Sequence, residues 1–222
     1  MLPACVEVAT GEEPRASVIW LHGLGADGHD FEPIVAELGD ALPCATRFVF
    51  PHAPVRAVTV NGGYAMRAWY DIVSFDRSAP QDLGGIRESH ESVEALIRRE
   101  NERGIGADRI VLAGFSQGAA MALYSGVRLS QPLAGMLALS CYLLEPGRLA
   151  DEAAPASLSV PVFMAHGEHD TVLPIALGER ARDLLLAAGY AVEWHRYAMA
   201  HSVVPEEIGA IARWLARVLA AR

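Results

Sequence analysis

Cysteine is scarce. The 222-residue chain holds three, Cys5, Cys44 and Cys141, far apart and never in a CxxC pair. That weighs against a disulfide framework, and it points to a reducing, cytoplasmic compartment. Basic charge is also short: 18 Lys and Arg stand against 27 Asp and Glu, for a formal net charge of −9. A surface of that sign disfavours nucleic acid or an anionic membrane as the main partner. No block of like charge interrupts it, and RENER at 99–103 mixes signs as a solvated helix end does. No apolar run is long enough for stable membrane insertion; the longest, ending near LAGMLALSCYLL, reads as a buried strand. The opening MLPACVEVATGEEP has no basic stretch before its short apolar run and carries Glu7 within it, unlike a signal peptide. Repeats, linkers and low-complexity segments are absent too, so residues 1–222 are expected to form one domain.

What is present is a large apolar fraction, 52%, laid out in alternating short runs. ASVIWLH (16–22), TRFVFP (46–51), RIVLAGF (109–115), LAGMLALS (133–140), VPVFMAHG (160–167) and VEWHRYA (192–198) read as strands, most of them apolar on both faces. Parallel strands covered by helices on both sides have that pattern. Helices are expected between them: from Asp30 to about Leu38, over 86–103 with Gly104 as the stop, after Ser116, from Pro174 to about Ala188 before Gly189, and from Pro205 with Ile208, Ile211, Ala212, Leu215 and Leu219 on one stripe. The fold class is therefore α/β, a mostly parallel central sheet with helices on both faces. Residues 51–82 and 141–158 are left as long connections, which in a compact domain often carry function.

One pentapeptide stands out where an apolar strand meets an apolar helix: Gly114-Phe115-Ser116-Gln117-Gly118, a GxSxG. A nucleophile elbow needs this context, since the chain reverses sharply at Ser and side chains two positions either way would collide with neighbouring backbone. The elbow exposes the Ser Oγ, and the helix start offers N–H groups, that of Gln117 among them, to a developing oxyanion. On the pentapeptide alone a simple helix N-cap competes.

A serine hydroxyl needs a base, and in this arrangement the chain order is Ser, acid, His. Of eight histidines, His22, His29, His52 and His90 precede Ser116, and no suitable acid separates His166 or His169 from it. His195 lies inside a strand pattern, whereas His201 lies in a loop able to reach over the sheet edge. The acid expected from the end of VPVFMAHG is Asp170, 54 residues after Ser116 and 31 before His201, with Glu168 and Asp183 as competitors. A second oxyanion donor is expected from the loop after an early strand, where His22-Gly23-Leu24-Gly25 supplies the Leu24 N–H. Gly23, Gly25 and Gly28 also satisfy GxGxxG, but no acid follows near 45–50 and the P-loop lysine is missing, so a nucleotide cofactor is the weaker reading. His166, His169 and Asp170 lack a further clustered ligand, and no metal is expected.

Together these stretches resemble the phospholipase/carboxylesterase family of α/β-hydrolases, which includes bacterial carboxylesterases and eukaryotic acyl-protein thioesterases. The matching residues are LHGLGADGHDF (21–31), FPHAP (50–54), MRAWYDI (66–72), GFSQGAAMAL (114–123), LSCYL (139–143), HGEHDTVLP (166–174) and MAHSVVPEEI (199–208). The resemblance implies an α/β-hydrolase fold and a serine hydrolase without cofactor, with Ser116, Asp170 and His201 as triad and Leu24 and Gln117 as oxyanion donors. It also implies an apolar groove for a small-molecule or lipid-like ester, for which Trp69, Leu143, Leu144 and Leu173 are the candidates by position. Tyr70 in MRAWYDI is closer to the bacterial branch, so carboxylic ester hydrolysis is the expected activity. Acyl thioester or lysophospholipid cleavage by the same triad is the alternative, and a catalytically silent binding module is the third reading. A homodimer is left open.

Overall fold

The structure, a computed structural model, describes residues 2–38, 41–74 and 79–220. Its centre is a seven-stranded sheet formed by β1 (Cys5–Ala9), β2 (Ala16–Leu21), β3 (Thr46–Pro51), β6 (Ile110–Phe115), β7 (Gly135–Leu139), β8 (Val162–Gly167) and β9 (Val192–Tyr197), in the spatial order β1-β3-β2-β6-β7-β8-β9. All neighbours are parallel except β1, which pairs antiparallel with β3. The strands expected from the sequence are present, and β2, β7 and β8 are buried along their whole length, as two-faced apolar strands must be.

Helices cover both faces. On one side α2 (Leu83–Glu102), α3 (Gln117–Gly126), α4 (Leu149–Glu152) and α5 (Ile175–Ala187) close a core around Ile19, Leu112, Met136 and Val162. On the other, α1 (Ile34–Leu38) and α6 (Pro205–Val218) close a second around Trp20, Phe48, Leu137, Phe163 and Trp214. Local signals fix the ends. Asp82 caps α2 by accepting from the Gly85 N–H at 2.9 Å, and Gly104 and Gly189 take the positive φ that terminates a helix, 89° and 96°.

Three features differ from the sequence reading. Strand β1 was not expected; it is a short, half-exposed edge whose pairing is antiparallel and long-range. The connection 51–82 contains a hairpin, β4 (Val55–Val58) with β5 (Tyr64–Arg67), turned by Gly62 and Gly63 at φ 66° and 78°. And α1 is shorter than expected. Asp30 does not cap it, because Asp27 accepts from the His29 N–H at 2.8 Å and the chain runs through successive three-residue turns before Ile34.

The strand order positions the site. Strand β2 has β3 on one side and β6 on the other; α1, which follows β2, goes to one face, and α3, which follows β6, to the other. The loops leaving these two strands therefore part at their carboxyl ends. A crevice at such a switch point is where open α/β sheets bind ligands. Leu21 pairs with Gly114 and Phe115 with Leu139, so the loops after β2, β6 and β7 emerge in one row.

Candidate active site

Ser116 sits between β6 and α3 with φ 56° and ψ −118°. A non-glycine residue in this region carries about 1–3 kcal/mol of strain and persists only where its surroundings enforce it. Here the Ser116 N–H donates to the Leu139 carbonyl at 2.9 Å, and the first helical bond, from the Ala120 N–H to Ser116 O, is 3.1 Å. The flanking glycines are steric requirements. A Cβ on Gly114 would lie 2.5 Å from the Gly118 carbonyl carbon, and one on Gly118 would overlap the carbonyl oxygens of Leu21 and His22.

His201 reaches this serine from the loop between β9 and α6. Its Nε2 is 2.9 Å from Ser116 Oγ and its Nδ1 is 2.6 Å from Asp170 Oδ2. Its ring lies against Phe115 at 4.7 Å between centroids, and Phe115 packs on Phe31 at 5.5 Å. Asp170 follows β8, its side chain fully buried. Its Oδ1 accepts the N–H groups of Val172 at 2.9 Å and Leu173 at 2.7 Å, which leaves Oδ2 aimed at the imidazole. The competitors are elsewhere. His195 bonds Glu193 and stacks on Phe163 in the opposite core at 4.9 Å; Glu168 pairs with Arg196 at the surface; Asp183 pairs with Arg182 on α5.

Two backbone N–H groups border the serine. Gln117 opens α3, so its N–H is among the first four of the helix, which have no intrahelical acceptor. Leu24 stands second in a turn closed by the Ala26 N–H on Gly23 O, with Gly25 third at φ 78°. Glycine supplies that φ in a type II turn, whose second N–H makes no internal bond. Buried His22 fixes this turn: Nδ1–H donates to Gly23 O at 2.7 Å and Nε2 accepts from the Ala53 N–H at 3.0 Å. Burial lowers its pKa to about 4, so it is neutral in that single tautomer.

The Gln117 side chain has a role that sequence reasoning missed. Its Oε1 accepts from the Trp69 N–H at 2.9 Å and its Nε2–H donates to Tyr70 O at 2.8 Å, clamping the connection after the hairpin to the elbow. These partners lie 48 and 47 residues away in the chain, beyond any local pattern. Ser89 of α2 adds a hydroxyl bond to Trp69 O.

The cleft over Ser116 has a volume of about 320 Å³ and is walled mainly by apolar groups, among them Leu24, Ile72, Phe115, Tyr142, Val172 and Leu173, with Asp30 at its side. Of the four expected groove residues only Leu173 lines it. Trp69 is a correction: it is 1% exposed, packs on His22, and donates its indole N–H to His22 O at 2.9 Å. Leu143 and Leu144 are corrections too; both are buried and border neighbouring pockets. Their positions after β7 are as expected, but both belong to the core covered by α2, α3, α4 and α5. His169 is exposed while His166 packs behind Asp170, and among the described residues no group of three or more His, Cys, Asp or Glu is placed to hold a metal ion.

Strand order, two-faced helical cover and a serine elbow at the switch point define an α/β-hydrolase. A family model described as Phospholipase/Carboxylesterase matches residues 3–219. Acyl-protein thioesterase 1 of Neurospora crassa is 41% identical over 209 residues, covering 90% of this chain and 85% of that protein; acyl-protein thioesterase 1 of Saccharomyces cerevisiae is 37% identical over 223 residues, covering 96% and 98%. The crystal structure of Zea mays acyl-protein thioesterase 2 superposes with a TM-score of 0.85 at 30% identity, over 98% of this chain and 99% of that one. Esterase PE8 does so with a TM-score of 0.81 at 28% identity, over 98% of each. The chain belongs to the phospholipase/carboxylesterase family, a family of hydrolases. The thioesterase names of these relatives correct the weight placed on Tyr70. Its hydroxyl pairs with that of Tyr142 at 2.7 Å inside the protein and gives no ground for setting thioester cleavage aside.

Proposed function

We propose that the chain works as a single serine-hydrolase domain that cleaves acyl thioesters and carboxylic esters by way of an acyl-enzyme on Ser116. The observation that carries this is the unbroken chain Ser116 Oγ–His201–Asp170, 2.9 and 2.6 Å long. His201 Nε2 takes the Ser116 proton as Oγ attacks the acyl carbonyl, and Asp170 orients the imidazole and stabilises its cation. The N–H groups of Leu24 and Gln117 receive the oxyanion, a donor of this kind being worth about 10²–10³ in rate. The leaving thiol or alcohol departs, water attacks the acyl-enzyme with His201 again as base, and the free acid is released. A thiol, with a pKa of about 8.5, leaves with little help from the acid, so the same site serves both bond types.

The apolar cleft supports an acyl chain rather than a charged substituent as the bound portion. The three free cysteines are in keeping with a reducing compartment such as the cytoplasm. Among the described residues no helix is long and apolar enough to cross a membrane. The thioesterase relatives favour thioesters as the better substrates. A panel of acyl thioesters, p-nitrophenyl esters and lysophospholipids of graded chain length tests this. Higher kcat/KM on thioesters is the expected result, and turnover confined to lysophospholipids would contradict it.

A further inference from the structure

His166 is buried, and neither the proton relay nor the cleft wall uses it. It occupies the second-last position of β8, four residues before Asp170. Its Nε2 lies 2.8 Å from the carbonyl oxygen of Leu173 and 3.4 Å from Asp170 Oδ2. Its Nδ1 has no hydrogen-bond partner among the described residues; the ring packs beside Trp194 and against Gly178, where a Cβ would overlap Nδ1. A nitrogen buried against carbon cannot carry a proton without leaving a donor unpaired, so the ring is held as the neutral Nε2–H tautomer. Burial, which lowers its pKa, acts the same way.

That tautomer gives one N–H, aimed at the turn that presents the acid. Leu173 is the hub of the turn: its N–H holds Asp170 Oδ1 at 2.7 Å, its carbonyl is held by His166, and its side chain lines the cleft over Ser116. Oδ2 is bonded to His201 at 2.6 Å, with His166 Nε2 standing 3.4 Å away.

We propose that His166 is a positioning residue for the triad, fixing the Leu173 peptide and through it the Asp170 carboxylate, so that Oδ2 stays aligned with His201. This rests on the reaction proposed above. Misplacing a reacting group by about 1 Å can cost about 10²-fold in rate, so the loss should fall on kcat, while the acyl site keeps its KM.

The test compares His166→Leu, which keeps bulk without a donor, with His166→Gln, whose amide N–H can replace Nε2–H, both assayed below their melting temperatures on one p-nitrophenyl ester. The Leu variant should lose about tenfold or more in kcat with KM within about threefold, and the Gln variant should recover most of it. In an Asp170→Asn background the Leu substitution should cost nothing further, because its effect passes through that carboxylate. Independent of any variant, nitrogen-15 NMR of the parent should find His166 neutral and protonated on Nε2 at pH 7. A folded Leu variant with parental kcat, an undiminished loss in the Asp170→Asn background, or an Nδ1–H or charged His166 at pH 7 would overturn the proposal. If the parent chain neither turns over ester nor is labelled at Ser116, the reaction itself is refuted, and the NMR result still decides the state of His166.

Discussion

At the scale of single residues, the site separates histidines by what surrounds them rather than by type. His201 lies between a hydroxyl and a carboxylate with its ring on Phe115. His195 sits one sheet face away, stacked on Phe163 and tied to Glu193. His22 is buried, neutral and fixed by two backbone bonds. The account therefore predicts unequal losses. His201→Ala should lower kcat about 10³-fold or more, as expected for a triad base, while His195→Ala should leave kcat within a few-fold. Steady-state kinetics on one ester decides it, and equal losses would misplace the base. That Ser116, His201 and Asp170 meet was legible in the sequence from chain order and local context: a GxSxG after a strand, an acid at a strand end, a histidine in a loop. The Gln117 clamp and the His166 contact to Leu173 were not legible. Their meaning lies in partners that only the folded chain brings near, and no periodicity announces a bond to a backbone 47 residues away. Trp69 misled for the opposite reason: a large aromatic near the site reads as a groove wall, yet it was needed to seal the floor beneath His22.

At the scale of elements, the elbow is made by the crossing of β6, α3 and the end of β2, and glycine is what lets them cross. Gly118→Ala would drive a methyl into the carbonyl oxygens of Leu21 and His22, which belong to backbone and cannot step aside. It should cost about 3 kcal/mol or more. Gly147→Ala, where a Cβ would meet nothing within 4 Å, should stay within about 0.5 kcal/mol. Urea unfolding of the two variants measures the contrast, and similar midpoints would show that the elbow is not under this steric constraint. The central strands were legible because both faces are buried and leave unbroken apolar runs. Strand β1 and the β4–β5 hairpin were not, because an edge strand and a surface hairpin bury little and alternate weakly. The boundary of α1 was misplaced because Asp27, three residues before the expected cap, captured the His29 N–H and started a series of turns instead.

At the scale of the whole molecule, a buried glutamate and buried histidines oppose each other across neutral pH. Glu207, fully buried at the start of α6 with no hydrogen-bond partner for either side-chain oxygen among the described residues, has its pKa raised by burial from 4.5 to about 8. Between those values the folded chain holds the extra proton, so stability falls as pH rises. His22 is shifted from 6.5 to about 4, and burial lowers His90 and His166 in the same direction. Below 6.5 the unfolded chain takes up those protons and the folded chain resists, so stability falls as pH falls. Below pH 6.5 the histidines act against Glu207; above it Glu207 alone of these groups still changes charge, up to about 8. Melting temperature should therefore decline from pH 6.5 to 8.5, and Glu207→Gln should flatten that decline. A parent protein still gaining stability between pH 7 and 8 would contradict this. The acid arm also reaches the loop beside the site, since protonating His22 at Nε2 would cost it the bond accepted from the Ala53 N–H, while the Nδ1–H bond to Gly23 O is kept.

The central claim is that the strained serine between two obligatory glycines is a nucleophile. It is tested most directly by incubating the protein with a fluorophosphonate and mapping the adduct by mass spectrometry. One adduct, on Ser116, is predicted, absent in Ser116→Ala and formed much more slowly in His201→Ala; an unlabelled protein, or an adduct on any other residue, would contradict it.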